Sequence, residues 1–225
     1  MTSGFKKNFL NEFYKQDLYN TVLRLLIWSC ENMLKDCNLK GTNIPNHEEQ
    51  IRNYLLEHYL RNITFRESVG IKNVPVQFQA EIPVNYNDVT NSYEGRVDIQ
   101  VVSEEWLYGN QNAYFTIECK RLDGTKTLNE KYVRQGIFRF IGNNPKYPSY
   151  ANKNIMLGFI IKKRKFMDIV NSINDIHLQE LKDYITQNIT PVENSGNYCL
   201  CESSYISQLI LNHLFYNFSD IIAYK

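Results

Sequence analysis

Cysteine is scarce in this chain and shows no pairing pattern: there are five, an odd number, with no C-x-x-C. That excludes a disulfide framework and the usual zinc-ligand spacing. The closest pair, Cys199-Leu200-Cys201, would face one way on a strand, where buried small residues are the first reading and a metal or redox role the second. The four histidines are scattered with no H-E-x-x-H, so they are assigned no chemistry. No apolar run approaches the length of a membrane span, and Met1-Thr2-Ser3-Gly4-Phe5-Lys6-Lys7 lacks the apolar core of a signal peptide. A soluble, cytoplasmic protein with no membrane partner is expected. Neither sign of charge dominates: the net charge is +1, which excludes a protein that coats nucleic acid through bulk positive charge and leaves room only for a local basic surface.

Nothing in the 225 residues reads as a linker, and the length suits one domain, 1–225, with a sizeable core. Phe5 to Cys37 has helical spacing through Phe9, Phe13, Val22, Leu25, Leu26 and Met33. It predicts a helical N-terminal extension over 1–40 that packs on the core or makes a dimer contact. Phe166 to Ile185 predicts an amphipathic helix, and the Leu-, Ile- and aromatic-rich tail from Tyr198 to Ile222 a further strand or helix.

The informative pattern lies between these ends. Asp98, within Val97-Asp98-Ile99, is followed after nineteen intervening residues by Glu118-Cys119-Lys120. Tyr114 to Lys120 is rich in aromatic and β-branched residues, so it reads as a strand with Glu118 and Lys120 on one face. Cys119 then turns into the apolar face while its carbonyl stays near the site. Gly95 to Val102 reads as a second strand, and the polar stretch Ser103 to Asn112 can reverse the chain between them. An antiparallel pairing brings Asp98 beside Glu118. Two carboxylates and a carbonyl form an all-oxygen set that suits Mg²⁺ or Mn²⁺. A hard cation there activates water for attack on a phosphate, with Lys120 orienting that water or stabilising the developing charge.

In these residues, Asp98 followed by Glu118-Cys119-Lys120, the chain resembles the PD-(D/E)XK nuclease superfamily, with Val97 in place of the signature proline. The resemblance implies an α/β fold with a restriction-endonuclease-like core, a mixed central sheet of at least four strands flanked by helices. It covers 46–165, with 166–225 as a C-terminal addition. Gln77 to Val84 supplies the first strand and the apolar run Ile155 to Ile161 a central strand buried on both faces. The resemblance also implies Asp98, Glu118 and the Cys119 carbonyl as metal ligands, Lys120 as the catalytic lysine, and a further acid from a preceding helix. Asn46 as N-cap opens such a helix, with Ile51, Leu55 and Tyr59 on one stripe and Glu48 on the same stripe. Glu48 is the choice and Glu49 the fallback, against a reading in which both serve the helix dipole. Gln135, on a helix expected over Asn129 to Ile141, is the candidate for touching water or phosphate, with Arg139 where some relatives place a tyrosine. Glu81 is a lesser candidate on the first strand.

A bare Glu-x-Lys occurs about once by chance in a chain of this size, and Glu180-Leu181-Lys182 is read as such an instance on a solvated helix face. Arg121, Lys126, Lys131, Arg134, Arg139, Lys162 and Lys163 are the candidates for holding phosphates on both sides of a scissile bond. Sixteen tyrosines could add base stacking. The expected activity is metal-dependent phosphodiester hydrolysis, on DNA in preference to RNA, of a restriction, anti-phage defence or DNA-processing kind. The competing expectation is a non-catalytic or partner-dependent nucleic-acid-binding subunit that keeps the fold. A homodimer, and a partner protein supplying target recognition, are both compatible with the resemblance.

Overall fold

The computed structural model describes residues 3–71, 74–142 and 144–224, and the side chains of all of these except 3–11, 94, 106 and 107. Helix α1 (Ser3–Lys40) opens the chain. Its Val22, Leu25, Leu26, Cys30, Met33 and Cys37 recur every three or four residues and are all buried, so the apolar stripe lies on the core. Phe13 is exposed instead, because among the described side chains of α1 burial begins at Leu18. Phe9 lies outside the described side chains.

After the short strand β1 (Ile44–Pro45) come α2 (Glu48–Leu55), which continues as a π-helical turn over Leu56–Leu60, and α3 (Ile63–Ser68). Strands β2 (Val76–Asn87) and β3 (Ser92–Ser103) form a long hairpin. The short α4 (Glu104–Leu107) leads to β4 (Tyr114–Leu122). Next come α5 (Lys126–Arg134), β5 (Lys153–Ile160) and α6 (Phe166–Leu181). The tail is a meander, β6 (Ile185–Asn194), β7 (Tyr198–Tyr205) and β8 (Ile210–Asn217), closed by β9 (Ile222–Ala223), which pairs in parallel with β1.

The fold is thus mixed α/β around a seven-stranded sheet of order β2-β3-β4-β5-β8-β7-β6. Strands β2, β3 and β4 run antiparallel, β4, β5 and β8 parallel, and β8, β7 and β6 antiparallel again. The expected order of helix, three strands, helix and strand is present as α2, β2, β3, β4, α5 and β5. The stretch from Tyr198, read as one strand or helix, contributes two strands, β7 and β8, to the same sheet, β6 before it adds a third, and β8 lies against β5. Helices α1 and α2 cover one face through Leu25, Leu26, Ile51 and Leu55 over Ile117 and Leu157. Helices α5 and α6 cover the other through Tyr132, Val133, Ile169 and Ile173 over Met156, Ile160 and Phe215. Strand β5 is accordingly buried on both faces, as its continuous apolar run predicts.

The helix expected over Asn129 to Ile141 begins three residues earlier and ends at Arg134, with a separate 3-10 turn at Ile137–Arg139. The break falls at Gly136, where a Cβ would lie 2.4 Å from the Tyr132 carbonyl oxygen and 2.5 Å from Met156 Cε. Under α5 and α6 runs a buried chain of hydrogen bonds, Tyr132 to His213, His213 to Ser203, Ser203 to Tyr205, Tyr205 to His177 and His177 to Asn188. Burial lowers the pKa of both histidines, so they sit neutral in that chain. Cys199 and Cys201 are fully buried nearby with sulfurs 3.6 Å apart. Gly136→Ala is expected to destabilise the protein by about 1–3 kcal/mol, read as a lower midpoint in thermal or urea unfolding; an unchanged midpoint would contradict the tight seat of this turn.

Candidate active site at a fork in the sheet

Strands β3 and β4 pair from Val102 opposite Tyr114 to Ile99 opposite Ile117, and there the ladder stops. The next β4 amides facing the gap need acceptors, since a buried unpaired N–H costs about 1–3 kcal/mol. The Cys119 amide donates to Asp98 Oδ2 at 2.8 Å and the Arg121 amide to Glu48 Oε2 at 2.9 Å. Two carboxylates, one from β3 and one from the first turn of α2, therefore stand in for the missing strand. Glu49, the fallback acid, is exposed and points elsewhere. Asn46 is not the N-cap; that residue is His47, and the Asn46 carbonyl and side-chain oxygens accept instead from Arg121 Nη1.

Lys120 projects into the gap. Its ammonium lies 2.6 Å from Glu118 Oε1, 2.9 Å from the Cys119 carbonyl oxygen, 3.5 Å from Glu48 Oε1 and 3.8 Å from Asp98 Oδ2. Glu118 is fully buried and also meets Arg139 Nη1 at 3.0 Å and the Tyr147 hydroxyl at 3.1 Å. Burial is the largest influence on Glu118 and, with the Asp98 charge, raises its pKa from 4.5 to about 7 against the opposing pull of Lys120 and Arg139. For Lys120, burial acts to lower the pKa but is outweighed by Glu118, Asp98 and Glu48, so the net direction is up and the ammonium stays charged.

Behind Asp98 sits Arg52, only 3% exposed. It lies 3.3 Å from Asp98 Oδ1 and 2.8 Å from Glu81 Oε1, and Arg96 reaches the other Glu81 oxygen at 2.8 Å. Glu81 interrupts the β2–β3 ladder between Ala80 and Ile82 and has a left-handed backbone, φ 56°. Such a conformation costs a side-chain-bearing residue about 1–3 kcal/mol. Glu81 is thus neither a freely exposed strand residue nor beside Lys120; it holds Arg52 against Asp98. With Glu118 ionised the ion-paired set is balanced, Glu48, Glu81, Asp98 and Glu118 facing Arg52, Arg96, Lys120 and Arg139.

A cleft of about 320 Å³ opens over this cluster, lined among others by Glu48, Asp98, Lys120, Arg121, Lys131, Gln135 and Arg139. Gln135 reaches it from the C-cap of α5 rather than from within a helix. Arg139 does not stand free for a phosphate, being bound to Glu118 and Tyr147. Arg121 and Lys131 line the cleft, while Lys126, Arg134, Lys162 and Lys163 lie off its lining. Lys126 and Arg134 pair with Glu130, Arg134 also with Glu180 of the second Glu-x-Lys, and Lys162 with Asp123, while Lys163 is exposed. Sequence reasoning missed Arg52, Arg96 and Tyr147. Arg52 had a usable signal: it falls four residues after Glu48 among the buried positions of α2, so the argument that singled out one charged residue there applied equally to the other.

Among the described residues, no group of three or more His, Cys, Asp or Glu side chains is arranged as a ready metal-binding set. The donor chemistry nonetheless fits a hard cation. Three carboxylates and a carbonyl, all oxygen, are gathered around a positive charge, and that charge is the Lys120 ammonium itself. Also among the described residues, no helix is long and apolar enough to cross a membrane. No family model, curated protein or solved structure matches the chain.

The raised pKa of Glu118 has a stability consequence. The folded chain holds an extra proton between pH 4.5 and about 7, so this group's contribution to stability falls as pH rises through that window, by roughly 3 kcal/mol in total. Infrared difference spectra of the wild type should show a protonated-carboxyl band that disappears as pH rises through neutrality and is missing in Glu118→Gln; a Glu118 already ionised at mildly acidic pH would contradict this.

Proposed function

We propose that this protein is a metal-dependent nuclease with a restriction-endonuclease-like core, hydrolysing phosphodiester bonds in nucleic acid, with DNA as the favoured substrate and restriction, anti-phage defence or DNA processing as the setting. The observation that carries the reading is the convergence of Glu48, Asp98, Glu118 and the Cys119 carbonyl on the Lys120 ammonium where β3 and β4 separate. The order and directions of α2, β2, β3, β4, α5 and β5 support the same core; the β6 to β8 meander is an addition to it.

Asp98, Glu118 and the Cys119 carbonyl, with Glu48, would hold Mg²⁺ or Mn²⁺, and the bound ion would supply Lewis-acid activation of phosphate and water. The balanced ion pairs then matter: a divalent cation added to this cluster brings surplus positive charge, which an anionic phosphate offsets. Displaced from the acids, Lys120 would stay charged and close enough to orient the attacking water and to neutralise charge growing on the phosphate oxygens. Gln135, Lys131 and Arg121 on the cleft wall would bond the phosphates, and Arg52 would hold Asp98 in position.

A second reading has a specific observation in its favour, since every acid of the cluster already has a cationic partner. It is a non-catalytic or partner-dependent nucleic-acid-binding module that keeps this fold with Lys120 as a permanent internal cation. Cleavage of plasmid, linear duplex, single-stranded DNA and RNA in Mg²⁺, Mn²⁺ or chelator separates the two. Wild-type cutting should require the metal and fall at least on the order of 10²-fold in Asp98→Asn and in Lys120→Ala, with both variants folded. Retained cutting by both variants would remove the assignment, and calorimetry showing no Asp98-dependent cation binding would favour the second reading.

Calorimetry also tests the place given to Lys120. Lys120→Met should bind Mg²⁺ more tightly than the wild type, because a competing ammonium is gone, while remaining inactive. Weaker binding in that variant would show that Lys120 does not occupy the cation's position.

A further inference from the structure

A second and larger cavity, of about 570 Å³, lies beside the charged cleft, and its lining differs in kind. The cleft is walled by charged side chains, whereas every residue lining the second cavity is neutral. The floor is a cross-strand pair of amides, Gln79 on β2 opposite Gln100 on β3. Gln111 and Asn112 add amides from the turn before β4. At the outer end Tyr86 and Tyr93, half exposed, meet edge to face with ring centroids 5.2 Å apart. The groove is held open by structure on both sides, because the Asn85 side chain donates to the Lys146 carbonyl at 2.6 Å and so ties the hairpin to the loop that forms the opposite wall. Tyr147 lines the groove and joins it to the charged cleft, because its hydroxyl accepts from Arg139 of the cleft lining and donates to Glu118.

A lining without charge does not suit phosphate, and its polar groups are too numerous for an aliphatic ligand. Amides offer paired donors and acceptors, and tyrosine rings offer flat faces. A planar, neutral group with several donors and acceptors on its rim satisfies both, and a nucleobase is such a group. The base would have to be unpaired, since in a duplex its Watson–Crick edge is occupied and its faces are stacked. We infer that this groove binds unpaired bases next to the phosphate being cut, so that the substrate is single-stranded nucleic acid or a strand with unpaired nucleotides at the scissile position. The inference rests on the nuclease reading of the neighbouring cleft and extends it to the substrate class.

The test is fluorescence anisotropy with short labelled oligonucleotides in chelator, where nothing can be cut. The probes are single-stranded DNA, single-stranded RNA, the matching DNA duplex and an abasic DNA strand of the same length. The variants are Tyr86→Ala/Tyr93→Ala, altered only at exposed rings, and Gln79→Leu, which removes an amide at similar volume. The wild type should bind a base-bearing single strand about tenfold or more tighter than the duplex or the abasic strand, and either variant should lose roughly that margin for the single strand alone. The DNA and RNA probes show which sugar is preferred. Equal binding of abasic and base-bearing strands, variants that bind as the wild type does, or no binding of any probe would overturn the inference. Because no metal is present, groove-dependent binding without any cleavage in Mg²⁺ would count against the nuclease reading alone. Cleavage that depends on Asp98 and Lys120 yet ignores the groove variants would count against the groove alone.

Discussion

Two backbone amides of β4, at Cys119 and Arg121, have no strand to pair with, and the carboxylates of Asp98 and Glu48 accept their hydrogens instead. The arrangement of the site follows from this exchange. A strand ladder that ran on past Ile99 would leave no gap, and a gap without carboxylates would leave buried donors unpaired. The acids are therefore fixed by the backbone as much as by each other. Glu48 turns its other oxygen, Oε1, toward Lys120, while Asp98 presents the same Oδ2 to the Cys119 amide and to Lys120 and gives Oδ1 to Arg52, and this is how residues distant in sequence come to face one point. It also explains why asparagine is the informative replacement at Asp98: the amide oxygen can keep the Cys119 contact while the charge is lost.

The same gap sets the electrostatics. Glu118 is sealed from water and would be strongly disfavoured as an anion without Lys120 and Arg139; even with them, burial and Asp98 leave its pKa near neutrality. Arg52 sits on the opposite side of Asp98 and is held there by Glu81, a residue in a backbone conformation that few side chains adopt. Strain next to a charged cluster is common where a site's geometry is over-determined by its surroundings. Charge is concentrated in the cleft on one side of Tyr147 and absent from the groove lining on the other; under the proposed function the two cavities would divide the recognition of a nucleotide between its phosphate and its base.

Much of this was legible in the sequence. Alternation along Tyr114 to Lys120 placed Glu118 and Lys120 on one face and Cys119 in the core, and the structure agrees. Glu48 could be chosen over Glu49 because its position on a helical stripe is a local property. The uninterrupted apolar run at Ile155 correctly indicated a strand covered on both faces. What was not legible depends on contacts between distant segments. Arg139 looked like a free cation because nothing local shows that Glu118 and Tyr147 will surround it. The tail from Tyr198 carried apolar residues without a clear period, since β7 and β8 are covered on both faces and lose the alternation that marks a half-exposed strand. The end of α5 at Arg134 is set by Gly136 meeting Met156 on another element, which helical periodicity cannot register. The neutral groove arises from Gln79, Gln100 and Tyr147 brought together across three segments.

The most direct test of the account is anomalous diffraction at the manganese edge from crystals grown with Mn²⁺. The account predicts a manganese peak coordinated by Asp98, Glu118 and the Cys119 carbonyl, with the Lys120 ammonium moved off the acids. An empty fork with Lys120 still paired to Glu118 at saturating Mn²⁺ would contradict it and leave the lysine as the permanent cation of the site.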